Sequence, residues 1–363
     1  MREAILLVGG QGTRLRPLTI NTPKPMLPVA GVPFTVHQIL RARDAGVSRI
    51  VLATSYKAEV FAEFLTNSDL LGPSSGIEVV IATEETPLGT GGAIRYASNF
   101  LESGSEDSVL IFNGDVLTGL DIKALVDHHE RSGSDVTLYL TRVADPRAYG
   151  LVPTNAEGEV LQFLEKPQTS EEIVTDQINA GCYVFTRSVI DEIPEGRPVS
   201  VERETFPELL ASKRRVSGVV DPGYWLDLGT PLAFVQGSVD LVRAIAPSPA
   251  VTSPGDSLVL PGAVIDAGAV LSGGTTLGAG ASVGVDSIID SSVVFDGANI
   301  GAHCKITNSI IGSGAVIGDN CTIAGCVIGD QSVIGANNEL REGVRVWVNS
   351  EIPELAIRFS SDQ

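Results

Sequence analysis

A chain of 363 residues exceeds the usual span of one domain, and 43% apolar with 19% charged residues marks it as globular, not disordered. Its formal charge of −19 argues against nucleic acid or an anionic membrane surface as a partner. Four cysteines without a C-x-x-C spacing imply a reducing, cytoplasmic setting. With the first strand beginning almost at once no signal peptide is expected, and without an apolar run of about 18 residues no transmembrane helix is expected.

Residues 4–8 (AILLV) form an apolar run that stops at Gly9, the pattern of a buried parallel strand. The turn Gly9-Gly10-Gln11-Gly12-Thr13 allows close approach of a ligand to the main chain, and its successive N–H groups can cup an anion. Arg14, Arg16 and Lys24 add positive charge to an acidic chain, so a phosphate site is expected here. A P-loop would need G-x-x-x-x-G-K-[ST], and a dinucleotide fold would need a helix after the glycines. Pro17, Pro23, Pro25 and Pro28 forbid that helix, which leaves a long extended loop laid over its ligand. The form GGxGTRLxPLT with a later P-K-P resembles the signature of the sugar-1-phosphate nucleotidyltransferases. The resemblance implies a nucleotide site that includes Leu7, Gly9, Gly10, Gly12, Thr13, Arg14 and Lys24, with Arg14 and Lys24 catalytic through their charge.

Helical spacing over 34–45, a strand at 49–53, a helix at 57–65 and a strand at 77–82 predict an α/β, Rossmann-like, doubly wound parallel sheet. Ligands of such sheets sit beyond the carboxyl ends of the strands. Residues 83–92 (TEETPLGTGG) lead into a helix ending near 99 and resemble the family's base-reading segment, Gly89 included. Glu84 stands where relatives specific for uracil or thymine place a glutamine. A carboxylate only accepts, which suits the two adjacent donors of guanine and not the mixed edge of adenine. GTP is therefore the expected nucleotide, with main-chain reading of the base as the alternative.

The strand at 108–112 ends in Asn113-Gly114-Asp115, and an aspartate delivered there can hold Mg²⁺ against phosphate oxygens. The resemblance makes Asn113 and Asp115 nucleotide contacts and Asp115 a metal ligand. After a helix at 121–131 and a strand at 134–142 the sugar half begins. Here the resemblance implies sugar-phosphate contacts from Gly150, Glu165, Lys166 and Asn179, with Lys166 gripping the phosphate. Residues 200–207 read as a capped helix start, structural in role. Asp227 resembles the second metal ligand, Trp225 is expected to pack, and a helix over 232–245 closes the region.

Proline and serine at 246–255 mark a linker, and beyond it the composition changes. Leu260, Leu277, Val294, Ile311 and Ile328 lie seventeen apart, as do Val283, Ile300, Ile317 and Ile334, and Ile289, Ile306, Ile323 and Leu340. Three aliphatic series per repeat mean three short faces per coil, stacked to bury a shared core. The pattern resembles the C-terminal left-handed parallel β-helix of hexapeptide-repeat proteins. The expected organisation is a catalytic domain at 1–245, the linker, a β-helix at 256–350 and a tail at 351–363. Relatives associate through such a prism, so a homo-oligomer is expected. Cys304 and Cys321 should stack on adjacent coils as small core residues.

The resemblance implies Mg²⁺-dependent transfer from a nucleoside triphosphate to a sugar 1-phosphate, catalysed by Arg14, Lys24, Asp115, Lys166 and Asp227. GTP and mannose 1-phosphate are the expected pair, with glucose 1-phosphate and UTP, dTTP or ATP as the alternative. A non-catalytic nucleotide-sugar sensor is a further reading. An acyltransferase would want a histidine on a protruding loop, whereas His303 falls within an uninterrupted coil.

Overall fold

The computed structural model describes residues 2–68, 70–72, 75–167 and 169–358. The chain divides into two compact units, Met1–Gly10 with Gln38–Trp225, and Gln11–His37 with Leu226–Gln363.

The first unit is built on a nine-stranded sheet. Strands β1 (Arg2–Leu7), β2 (Val47–Thr54), β3 (Glu78–Thr83) and β4 (Ser108–Asn113) lie in the order β4-β1-β2-β3, all parallel. Helices α1 (Phe34–Asp44), α2 (Ala58–Asn67) and α3 (Gly89–Ala97) fill the connections, as the alternation predicts. Ile5, Leu6, Val51 and Leu52 are fully buried, in keeping with a parallel sheet covered on both faces. Helix α4 (Ile122–Ser132) starts where Asp121 accepts from the Ala124 N–H at 2.9 Å and ends at Gly133.

The other half departs from the all-parallel expectation. Beyond β5 (Val136–Arg142), the chain forms β6 (Gly150–Leu151), β7 (Leu164–Glu165) and then β8 (Gln177–Thr186). β8 runs antiparallel to β4, β5 and β6. Between β5 and β8 no α-helix occurs among the described residues, and a strand that returns without a crossover helix lies antiparallel. β9 (Val216–Val220) pairs parallel with β5. Phe206, which opens α5 (Phe206–Ala211), stacks on Phe163 at 4.8 Å and meets Tyr183 of β8 at 5.2 Å. Burying one such ring fully is worth ~1.5–3 kcal/mol.

The second unit joins the loop Gln11–His37 to α6 (Pro231–Val242) and to a stack of short parallel strands. The stack forms three sheets of six, six and five strands, consistent with the left-handed β-helix expected. Leu277, Val294, Ile311 and Ile328 point into its core and are almost fully buried. The repeat is not uniform. Val259, not Leu260, is the register partner of Leu277, and Ile328 pairs with Val346, so both outer coils are one residue longer. The extra residue sits at one corner. In the middle coils that corner holds a single left-handed residue, Ser291, Asn308 or Gly325. In the outer coils it holds two, Gly273–Gly274 and Glu342–Gly343. Leu260 consequently leaves the inward series and lies over Gly31, 2.9 Å from where a Cβ would stand.

A second corner carries Ser287, Cys304, Cys321 and Asn338. Ser287 Oγ donates to Gly301 O at 2.8 Å, while Cys304 Sγ and Cys321 Sγ donate to Gly318 O and Gly335 O at 3.2 Å. Asn338 Nδ2 donates to Pro353 O at 2.8 Å. The cysteines thus take the place of a serine, buried and free, on adjacent coils. His303 is left-handed at the neighbouring position, in series with Asp286, Asn320 and Asn337. The first part of the tail packs on the stack, with Ile352 and Ile357 against its core. Glu351–Ile352 pairs with Val333–Ile334 and Ile357 N donates to Asn338 Oδ1, extending the stack, while 359–363 lie outside the described residues. Among the described residues no helix is long and apolar enough to cross a membrane.

One buried histidine in each unit sets an acid limit on stability. His37 bonds Ser248 Oγ at 2.6 Å and Val29 O at 2.8 Å, and burial lowers its pKa from 6.5 to about 4. His129 bonds Thr137 Oγ1 at 2.9 Å and is likewise lowered to about 4, chiefly by burial. A histidine held neutral in the fold binds its proton more readily when unfolded. Its contribution is therefore complete above pH 6.5 and lost as pH falls toward 4. Urea titrations should show a lower midpoint at pH 5 than at pH 7, the unfolding free energy falling by ~1.4 kcal/mol per histidine per pH unit at most. Equal midpoints would refute it.

Candidate functional site

In the second unit the signature loop is not extended, as its prolines suggested, but wound into two 3-10 turns, Thr13–Leu15 and Lys24–Met26. Gly12 joins them. It stands at φ +59°, and a Cβ there would lie 2.7 Å from Lys24 Cβ. Thr19 Oγ1 donates to Gly12 O at 2.9 Å and fixes the turn. Lys24 is thereby pressed into the fold with 9% of its surface exposed, whereas Thr13 and Arg14 lie on the outside. Asp227 meets both cations. Its Oδ1 is 3.8 Å from Lys24 Nζ, and its Oδ2 is 3.9 Å from Arg14 Nη2. A Cβ at position 229 would overlap the Arg14 guanidinium where it now lies, so a side chain there would displace it. Arg14, Lys24 and Asp227 thus form one cluster, a carboxylate between two cations.

In the first unit, Leu7 ends β1 and Gly9 follows it, with Gly10 exposed beyond; Val8 N donates to Ala53 O at 2.9 Å, and Ser55 Oγ to Gly9 O at 3.3 Å. Asn113 ends β4 and Asp115 follows it, as expected. Gln38 Nε2 holds that turn through Asn113 O at 2.8 Å and Val116 O at 3.3 Å. Asn113 Oδ1 is buried and accepts no hydrogen bond among the described residues, which suits a polar ligand. Glu84 ends in a buried position after β3. Its Oε2 accepts from Leu88 N at 2.9 Å, and burial raises its pKa while that N–H lowers it. One carboxylate oxygen therefore shapes the TPLGTGG turn.

That turn is clamped by a segment the sequence marked only as a helix start. Val199 N donates to Leu88 O and Gly91 N to Val199 O, both at 2.8 Å. Thr90 Oγ1 donates to Glu202 Oε2 at 2.8 Å and accepts from Val201 N at 2.9 Å. Ser200 does cap its helix, accepting from Arg203 N at 3.2 Å. No motif announced the clamp or Gln38, because main-chain and single amide contacts leave no spacing pattern.

The sugar-half residues also gather. Gly150 and Glu165 are antiparallel partners, and a Cβ on Gly150 would stand 2.8 Å from Glu165 Oε2. Lys166 has φ +50°, rare for a non-glycine residue, with its N–H on Tyr149 O at 3.2 Å and its Nζ 3.5 Å from Glu165 Oε1. Trp225 packs as expected: its ring is 5.3 Å from that of Tyr149, and Nε1 donates to Ala180 O at 3.0 Å. Next to Ala180, Asn179 donates to Tyr183 Oη at 2.8 Å and accepts from Gly181 N at 3.1 Å. The expected catalytic set is divided between the units, Asp115 and Lys166 in the first, Arg14, Lys24 and Asp227 in the second. Among the described residues no three His, Cys, Asp or Glu side chains gather as a cage. Lone carboxylates are the donor set of a hard divalent ion that completes its shell with water and phosphate.

Two family models match the chain, Nucleotidyl transferase over residues 3–243 and GMPPB C-terminal domain over 253–346. The chain is 52% identical to a mannose-1-phosphate guanylyltransferase of Mycobacterium tuberculosis, covering 99% of this chain and 98% of that one. It is 39% identical to the mannose-1-phosphate guanylyltransferase catalytic subunit beta of Drosophila pseudoobscura pseudoobscura, over 65% of this chain and 61% of the relative. Among solved structures, HddC from Yersinia pseudotuberculosis complexed with GMP-PN is similar at TM-score 0.55 and 28% identity, over 66% of this chain and 98% of that one.

Proposed function

The chain belongs to the nucleotidyl transferase family, and from that premise we propose how it works as a mannose-1-phosphate guanylyltransferase. It transfers GMP from GTP to mannose 1-phosphate, giving GDP-mannose and pyrophosphate; identity of 52% along nearly the whole chain carries this reading. A phosphate oxygen of the sugar phosphate attacks the α-phosphorus, a new P–O bond forms, and the bond to the β-phosphate bridge breaks. The nucleophile is already ionised at neutral pH, so no general base is needed. The obstacle is repulsion between two polyanions.

Arg14 and Lys24 hold the triphosphate and stabilise the departing pyrophosphate; Lys166 holds the sugar's phosphate, and Gly150, Glu165 and Asn179 bind its hydroxyls. Positioning and charge neutralisation are the substance of such catalysis. Enzymes of this kind depend on a divalent metal. Asp115 and Asp227 would hold Mg²⁺, which supplies positive charge to the phosphates. We keep the division into residues 1–245, 246–255 and 256–350, with a tail at 351–363 whose first strand extends the stack; the family-model ranges 3–243 and 253–346 support the first two boundaries. A cytoplasmic homo-oligomer assembled through the stack fits the free cysteines and the exposed Val264, Ile265 and Val270 of its first coil.

Glu84 reads the base. With Oε2 engaged by Leu88 N, the other oxygen faces guanine's donors. Pyrophosphate release with mannose 1-phosphate or glucose 1-phosphate against GTP, UTP, dTTP and ATP should favour GTP with mannose 1-phosphate. Glu84→Gln keeps an acceptor for Leu88 but turns an amide toward guanine, so KM for GTP should rise about tenfold. Because burial raises the Glu84 pKa, GTP affinity should weaken on acidification earlier than for an ordinary carboxylate, and the variant should lose that dependence. A preference for UTP, or an unchanged KM in Glu84→Gln, would sink the assignment.

A further inference from the structure

We propose that Arg345, at the far end of the strand stack, is a positioning residue for the triphosphate loop. Its Nη1 donates to Arg14 O at 2.7 Å and to Arg16 O at 2.9 Å, across more than three hundred residues of sequence. These two carbonyls flank Leu15. The neighbouring carbonyls of Gly12 and Thr13 are taken from within the turn, by Leu15 N at 3.0 Å and Arg16 N at 3.2 Å. A short turn leaves its last carbonyls without internal donors, and here a cation from another part of the unit supplies them. Charge-assisted bonds of this kind are stronger than neutral ones.

The position of Arg345 in the stack sets it apart from an ordinary surface arginine. It continues the ladder Thr276, Val293, Ile310, Val327, each paired with the next in register. Those four are buried and apolar or hydroxyl-bearing, and Thr276 also meets Ser238 Oγ at 3.2 Å, which in turn accepts from Ala30 N at 3.0 Å. The one charged rung of this covered face lies where the face reaches the phosphate loop. Its strand, Arg345–Val346, is held by Val327–Ile328, so the guanidinium starts from a rigid support. Fixing Arg14 O and Arg16 O fixes the Cα of Arg14, and with it the reach of the guanidinium that lies 3.9 Å from Asp227. Arg345 touches no reacting group itself; it acts through Arg14.

The inference rests on the assignment of Arg14 to the triphosphate, and one experiment separates the two. Full-length Arg345→Ala, Arg345→Lys and Arg14→Ala are assayed for pyrophosphate release while GTP and mannose 1-phosphate are varied in turn, with thermal melting of each protein. Arg345→Ala should raise KM for GTP about tenfold and leave KM for mannose 1-phosphate within about twofold. Arg345→Lys, which keeps the charge and a donor without the planar fork, should recover part of the loss. If Arg14→Ala is impaired while Arg345→Ala matches the native enzyme, the Arg345 inference alone fails. Both KM values rising together with a lower melting temperature would make Arg345 merely structural and also overturn it. If Arg14→Ala uses GTP normally, the parent assignment fails.

Discussion

Replacing Lys24 by alanine should lower kcat/KM for pyrophosphate release by ~10²–10³, the usual loss when one preorganised charge contact is removed. The size of the effect follows from where the lysine sits. Lys24 is 9% exposed, so its charge is poorly screened by water and acts at full strength on a phosphate beside it. It stands in the Lys24–Met26 turn under Gly12, and its Nζ lies 3.8 Å from Asp227 Oδ1. Holding a cation there costs desolvation, which the adjacent carboxylate offsets in the free enzyme. A triphosphate offers it more negative charge, and the departing pyrophosphate more still. Lys24→Arg should not restore activity, because a broad planar guanidinium replaces a compact ammonium at a nearly buried position. Steady-state assays at saturating mannose 1-phosphate would decide it. A loss below tenfold in Lys24→Ala would remove this residue from the catalytic set.

What could be read in advance was whatever imposes a spacing. A buried aliphatic must recur once per coil, so the three series of the stack stood out at once. The same logic misplaced Leu260, since seventeen residues separate it from Leu277 by arithmetic alone while the Gly273–Gly274 corner shifts the true partner to Val259. The α/β alternation fixed β1 to β4, whereas β8 had to be seen, because a long connection can hide the loss of its crossover helix. Candidate site residues at or near strand ends, Asn113, Asp115 and Lys166 among them, were legible as motifs. Their supports were not. Gln38, Val199 and Arg345 act through main-chain carbonyls and amides, which any residue supplies, so nothing in the partner sequence records the contact.

Asp227→Asn should lower activity by a comparable ~10²–10³, and the response to magnesium distinguishes the two roles its geometry allows. As an ion-pair partner, Asp227 keeps the positive groups of Arg14 and Lys24, 3.9 and 3.8 Å from its oxygens, from repelling one another. As a metal ligand, it offers a hard oxygen to a divalent ion that also takes phosphate oxygens. The amide removes the charge but preserves the shape, so Gly229 and the Arg14 guanidinium above it need not move. In the first role, added Mg²⁺ changes nothing, because the defect lies in the unbalanced cations. In the second, the apparent Mg²⁺ affinity falls and part of the lost rate returns at high metal concentration. Recovery is the expected result, since Asp227 stands beside the two cations proposed to hold the triphosphate, where a divalent ion shared with its phosphate oxygens must also sit. A Mg²⁺ titration of Asp227→Asn with the midpoint of the native enzyme would leave Asp115 as the sole aspartate in that role.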